Sequence, residues 1–187
     1  MGRPIIIEKA KVKDYPEFQK VEDSVRSEAV KAAKDAWGLD YGGLFPGDGQ
    51  YGETPIRLPY FNLGTTSGTA ETWRRTFTNT GWQSLIADKK TIEDCIIGLI
   101  GWEIASPTKK IAAIYQKYGE RTFPVINFET EIELFEVPQI LFSKGIVIPE
   151  ETNVDVDVLV TSTGAQIIRP LGFAFVKKPL LIAKKPV

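Results

Sequence analysis

Apolar side chains recur every three or four residues between positions 16 and 37, which is the spacing of one face of an α-helix. Asp14 stands where an N-cap belongs, Pro16 falls in the first turn, and Gly38 follows the last apolar residue. The pattern therefore predicts an amphipathic N-terminal helix over residues 16–37. Its apolar positions are Phe18, Val21, Val25, Ala29, Ala32, Ala33, Ala36 and Trp37.

From residue 73 onward the chain is rich in aromatic and β-branched residues, which favours strands. The clearest stretch is 154–160, where valine occupies every second position, as in a strand with one face in water. Ser143, Lys144 and Gly145 suggest a turn between two short strands. We predict strands over residues 73–80, 82–86, 91–105, 123–135, 139–142, 146–148, 154–160 and 165–176, with a further extended piece over 56–63.

One segment between these strands has the pattern of a short inserted helix. Ser106 and Pro107 are residue types that begin helices, and Gly119 is a common stop signal. The apolar face of this predicted helix comprises Ile111, Ile114, Tyr115 and Tyr118.

Many short strands separated by turn signals indicate a mainly β protein, built as an antiparallel β-sandwich or barrel rather than a parallel sheet. We expect three regions along the chain. They are an N-terminal arm and helix over 1–40, loops rich in glycine, proline and threonine over 41–72, and the sandwich over 73–187.

The composition removes the commonest kinds of active site. The chain has 187 residues, no histidine and one cysteine, Cys95. A serine or cysteine hydrolase of the usual type needs an imidazole, and a structural zinc site needs several cysteines or histidines. Basic and acidic residues number 23 and 24, so no strong positive charge indicates a dedicated nucleic-acid binder. We therefore expect no catalytic residues, no cofactor and no metal site.

Two groups of carboxylates keep an enzyme hypothesis open. Asp155 and Asp157 share one strand face, as do Glu129, Glu131 and Glu133. A glycosidase needs two such acids facing each other across a cleft. Because these acids alternate with apolar neighbours, a solvated or intersubunit sheet face explains them better.

One aromatic and basic cluster is a candidate interaction surface. Trp73, Arg74 and Arg75 lie close to Phe77 and Trp82 in the sequence. They could be core aromatics with paired arginines, a surface that stacks on sugars or bases, or an intersubunit contact. The carbohydrate hypothesis combines Trp73 and Trp82 with the loop tyrosines Tyr41 and Tyr51. The candidate interface residues are Phe18, Val21, Val25, Trp37, Trp73, Arg74 and Arg75.

The order of elements resembles that of the single jelly-roll capsid proteins of icosahedral viruses that infect bacteria and archaea. The resemblance is carried by ELFEVPQILFSKGIVIPEETNVDVDVLV and GAQIIRPLGFAFVKK, which are similar to the closing strands of such a sandwich. It covers about the last two thirds of the chain and implies a single jelly roll with an N-terminal helix and one short inserted helix.

This resemblance implies a structural virion protein that self-assembles through its arm, loops and sheet faces. Its partners would be copies of itself and other capsid proteins, with no small-molecule substrate, and it would lie in a virion assembled in the host cytoplasm. The arm lacks a dense tract of lysine and arginine, which puts nucleic-acid binding in doubt. An internal membrane or a second protein beneath the shell would be compatible with that arm. A carbohydrate-binding β-sandwich, as a receptor-binding or accessory module, is the alternative function.

Overall fold

The computed structural model describes residues 5–8, 16–37, 51–63, 73–106, 108–127 and 138–177. In these ranges, helix α1 spans Pro16–Trp37 and a short 3-10 helix spans Leu58–Phe61. The strands are β1 Ile5–Glu8, β2 Tyr51–Pro55, β3 Arg74–Phe77, β4 Gly81–Lys90, β5 Cys95–Ile104, β6 Ile111–Tyr118, β7 Arg121–Asn127, β8 Pro138–Ile148, β9 Asn153–Val160 and β10 Gly164–Lys177. The prediction of a mainly β chain with one N-terminal helix is confirmed.

These strands form two antiparallel sheets that pack as a sandwich, as predicted. The larger sheet has six strands in the order β1-β8-β5-β10-β2, and β3 also pairs with β10. The smaller sheet has four strands in the order β4-β9-β6-β7. The first and second predicted regions each supply one strand to the larger sheet, since β1 pairs with β8 and β2 pairs with β10.

The pairing of the last eight strands follows one rule. The first four of them pair with the last four in reverse order, giving β3–β10, β4–β9, β5–β8 and β6–β7. The pairs β3–β10 and β5–β8 lie in the larger sheet, where β5 also pairs with β10. The pairs β4–β9 and β6–β7 lie in the smaller sheet, where β6 also pairs with β9. The eight strands are thus arranged as one long hairpin that has been folded over on itself.

The core lies between the two sheets. Alternation along β9 points Val154, Val156, Val158 and Val160 inward, and each is at most 2% exposed. A buried polar group also links the sheets, because Gln116 on β6 accepts hydrogen bonds from the Trp102 indole on β5 at 2.9 Å and from the Tyr118 hydroxyl at 2.8 Å. Burial raises the pKa of Tyr118, which keeps this hydroxyl protonated.

Helix α1 packs on the outer face of the larger sheet, across β8 and β5. The residues it buries there are Val25, Ala29, Val30 and Ala33 on the helix and Ile96, Ile100, Phe173 and Phe175 on the strands. Burying one valine-sized side chain stabilises a fold by about 1.5–3 kcal/mol, so this cluster contributes to holding the helix on the sheet. Within the described ranges, no helix has both the length and the apolar character needed to cross a membrane.

The structure corrects three expectations about local elements. Residues 111–118, predicted as the inserted helix, form strand β6. The predicted turn at residues 143–145 lies inside the continuous strand β8. The segment 56–63, predicted as extended, contains the 3-10 helix Leu58–Phe61. The predicted strand pieces at 128–135 and the predicted 41–50 loop lie outside the described residues.

Candidate functional site

The outer faces of the two sheets differ in what covers them. Helix α1 lies over the larger sheet, whereas none of the described helices or strands packs on the outer face of the smaller sheet. The two outer faces and the β3 edge therefore hold the accessible candidate residues of the described part of the chain.

The helix residues proposed as an interface are largely used within the chain. Val25 is 2% exposed and belongs to the cluster under the helix. Phe18, Val21 and Trp37 are half-buried against the same cluster. Each of these three side chains is partly exposed to solvent.

A single arginine connects the helix to the sheet beneath it. Arg26 donates to both carboxylate oxygens of Glu53 on β2, at 3.1 and 2.8 Å, and its guanidinium lies 5.0 Å from the centre of the Phe173 ring. It also reaches Glu22, one helical turn earlier, at 3.1 Å. The hydrogen bonds with Glu53 are the main cause that raises the pKa of Arg26.

The end of the helix is held by a carboxylate from the loop between β8 and β9. Trp37 donates its indole N–H to Glu150 at 3.2 Å, and the same Glu150 oxygen accepts the backbone N–H of Asp94 at 2.7 Å. One glutamate thus ties the helix end to two loops of the sandwich.

The residues of the aromatic and basic cluster point in different directions. Trp73 is 5% exposed and lies in the core, where it makes edge contacts with Phe61 at 5.7 Å and Trp102 at 6.3 Å. Arg74 on β3 is exposed, and Arg75 is half-buried beside it. Trp73 therefore stabilises the sandwich, while the two arginines lie at its accessible edge.

Trp82 lies on the smaller sheet, away from Trp73, and is 49% exposed. It is directly opposite Leu159 on β9, and Leu159 is directly opposite Ala113 on β6. Residues directly opposite each other in an antiparallel pair share a face, and the core valines of β9 occupy the other face. We call the outer surface of this sheet the open face, defined by Trp82, Ser84, Ala113, Tyr115, Lys117, Asp155, Asp157 and Leu159.

The paired aspartates belong to this open face. Asp155 is opposite Lys117, and its carboxylate accepts the backbone N–H of Asp88 at 2.7 Å. Asp157 lies between Ser84 on β4 and Tyr115 on β6. Both acids project from the same side of one strand, so they do not face each other across a cleft as a glycosidase pair does.

Glu103 and Cys95 are both buried. Glu103 is the one buried carboxylate among the described residues, at 1% exposed, and it pairs with Arg169, whose pKa it raises. Cys95 is fully buried, and that burial raises the pKa of its thiol. No group of three or more histidine, cysteine or acidic side chains within the described ranges is arranged to hold a metal ion. Glu129, Glu131 and Glu133 lie outside those ranges, as does Tyr41.

A groove of about 930 Å³ opens between β7 and β8. Phe123, Ile126, Phe142 and Ile146 line it, with Lys144 at its margin. Residues 128–137, which connect these two strands, lie outside the described part of the chain. Glu28 of α1 and Gln116 of β6 complete the lining of the groove among the described residues.

No protein-family model matches the chain, and neither a curated protein nor a solved structure matches it.

The sequence indicated part of the open face. Trp82 and the alternating residues Asp155 and Asp157 are candidates on sequence grounds, whereas the apolar pattern around Tyr115 predicts a helix. Ser84 and Leu159 carried no signal of their own. They join the surface only because β4 and β6 pair on either side of β9, and local sequence does not encode that pairing.

Proposed function

We propose that this chain is a structural subunit of a virion shell and that its sandwich is a single jelly roll. The observation that carries the proposal is the pairing of eight strands in reverse order, β3–β10, β4–β9, β5–β8 and β6–β7, divided between two sheets. A jelly roll has eight strands in two sheets and is a common architecture of viral capsid proteins. The resemblance of the closing strands to those capsid proteins supports the same function.

The elements outside the eight rolled strands, β1, β2 and α1, are suited to contacts between subunits. Strands β1 and β2 extend the larger sheet beyond the eight rolled strands, and α1 lies on its outer face. In this proposal the helix is amphipathic and its half-buried residues Phe18, Val21 and Trp37 meet a neighbouring copy. Arg74 and Arg75 form a second contact, because arginine is enriched in protein interfaces.

The partners in this account are other copies of the chain and other capsid proteins, and the location is the virion. Direct contact with nucleic acid is not part of the proposal, since the arm carries no dense basic tract. The inner side of the shell would instead face a membrane or a second protein.

Light scattering on the purified full chain over a range of concentrations tests this function. We expect a large, regular oligomer that the double variant Arg74→Glu, Arg75→Glu converts to smaller species. The matched control is Lys89→Glu, Lys90→Glu, which reverses two exposed charges on β4, and it should leave the mass unchanged. A wild-type chain that stays monomeric at every concentration would overturn the proposal.

A further inference from the structure

The open face carries an apolar strip that runs across three strands. Trp82 on β4, Leu159 on β9 and Ala113 on β6 are directly opposite one another in register, and because Ala113 is 2% exposed, Trp82 and Leu159 supply the accessible part of the strip. Trp82 leaves 49% of its surface in contact with solvent, while Leu159 is half-buried between its neighbours. An indole ring held on a rigid sheet with one side exposed is a stacking platform, and within the described part of the chain no acceptor takes its N–H.

A polar strip runs beside the apolar one, one step along the strands. Ser84, Asp157 and Tyr115 are directly opposite one another in the same three strands. Two residues of an antiparallel strand span about 6.8 Å, so the two strips are separated by roughly that distance. Among the described residues, neither the Asp157 carboxylate nor the Tyr115 hydroxyl has a hydrogen-bond partner, which leaves both groups available to a ligand.

These two strips are complementary to the two sides of a sugar. A sugar ring has a face of C–H groups that packs on an aromatic ring, and a rim of hydroxyls that donates to carboxylates and accepts from hydroxyls. We propose that the open face binds a neutral oligosaccharide, with Trp82 stacking on a sugar ring and Asp157 and Tyr115 hydrogen-bonding to its hydroxyls. This inference does not depend on whether the chain assembles into a shell.

Charge argues against a nucleic acid on this surface. Binding a phosphate backbone needs clustered lysine and arginine, because affinity comes from neutralised phosphates. The open face instead carries Asp155 and Asp157 beside Lys117 and, opposite Asn153, Lys90, so these residues supply no excess of positive charge. Stacked bases would bring their phosphates close to these carboxylates, whereas an uncharged sugar brings no such repulsion.

Area argues against a second protein as the main occupant. Four strands at about 4.8 Å spacing and eight residues at about 3.4 Å rise give a face on the order of 500 Å². A stable protein interface buries roughly 800 Å² from each partner. The open face is therefore small for a protein dimer but sufficient for a short oligosaccharide lying across the strands.

Titration of the full chain tests the site directly. The probes are an array of neutral glucose, galactose, mannose and N-acetylglucosamine oligosaccharides, followed by calorimetry and tryptophan fluorescence with any sugar that binds. We expect saturable binding that Trp82→Ala weakens by on the order of tenfold or more, as loss of an aromatic stacking partner does for bases. Trp82→Phe should retain part of the affinity, and Asp157→Asn should reduce it.

Lys31→Ala is the control, because Lys31 is exposed on helix α1, which packs on the other sheet, and the change should not affect binding. Each variant must unfold at the wild-type temperature. Three results would overturn the inference: no saturable binding to any sugar of the array, equal affinity of the wild type and Trp82→Ala, or a Trp82-dependent association with single-stranded DNA or a second copy in place of sugar. Native mass is measured separately, so failure of this site does not affect the shell proposal.

Discussion

Val25 on helix α1 occupies the space that a side chain at Gly145 on β8 would need. A Cβ atom added to Gly145 would lie 1.9 Å from Cγ2 of Val25, far inside van der Waals contact. Gly98 on β5 has the same relationship, since its Cβ would lie 2.9 Å from Cγ1 of Val25 and 2.5 Å from the Phe173 ring. Two glycines in neighbouring strands thus form the depression in the larger sheet that receives the helix.

Gly145→Ala should destabilise the fold by about 1–3 kcal/mol, because the added methyl group must displace Val25 or move the helix. Urea denaturation measures the change. In the double variant Gly145→Ala, Val25→Ala, the smaller helix residue makes room for the new methyl group. The double variant should therefore lose less free energy of unfolding than the two single variants lose when their losses are added. Strictly additive costs would show that Val25 and Gly145 are not in contact.

Gln116→Leu should cost about 1–3 kcal/mol, because it leaves the buried Trp102 indole and Tyr118 hydroxyl without their acceptor. Tyr118→Phe is the control and should cost less, since Gln116 keeps its bond from Trp102. The free energies of unfolding of the two variants provide the comparison. A Gln116→Leu variant as stable as the wild type would contradict the inter-sheet hydrogen bonds.

The buried thiol of Cys95 should make the fold less stable in alkali. Burial, and to a smaller extent the charge of Glu150, raise its pKa above that of an unfolded cysteine, which is about 8.5. Above that pH the unfolded chain releases a proton that the folded chain retains, so stability falls by up to about 1.4 kcal/mol per pH unit. Below it both states keep the proton and the effect vanishes.

Cys95→Ala removes this contribution, so its free energy of unfolding should fall less steeply than that of the wild type between about pH 8.5 and 10. Urea denaturation of both proteins across this range provides the measurement. Parallel curves for the two proteins would mean that the thiol titrates equally in the folded and unfolded states.

Glu53→Gln should weaken the attachment of α1 by about 1 kcal/mol or less, because Arg26 and Glu53 are both partly exposed and water screens their attraction. Glu22→Gln removes only the contact within the helix and should cost about 0.3–0.5 kcal/mol. Chemical denaturation in low and high salt measures both. The loss of stability caused by Glu53→Gln should shrink in 1 M salt, because the Debye length there is only about 3 Å. A loss that grows in 1 M salt would exclude an ionic cause.

Local patterns in the sequence predicted elements whose periodicity is regular. Helix α1 spans the predicted residues 16–37, and β9 follows the alternating valines of 154–160. The sequence predicts a helix at strand β6 because the register with β9 shifts between Ile111 and Ala113, which places Ile111 and Ile114 on the same face. Such irregularities break the two-residue period and leave apolar residues at helical spacing.

The sequence at Gly145 predicts a turn for a related reason. A glycine is equally suited to a tight turn and to a close approach between packed elements, and here it allows Val25 to contact the sheet. The sequence around it contains no sign of the helix more than a hundred positions earlier. The candidate site was only partly predictable because Trp82, Leu159 and Tyr115 come together through strand pairing over long separations.

Electron microscopy of the assembled protein tests the central proposal most directly. The chain should be purified at the concentration where light scattering reports its largest species, and then imaged without any partner. The proposal predicts closed particles of uniform diameter, in which the jelly-roll sandwich repeats with a fixed symmetry. A field of single chains, together with a monomer mass in solution, would contradict a shell subunit.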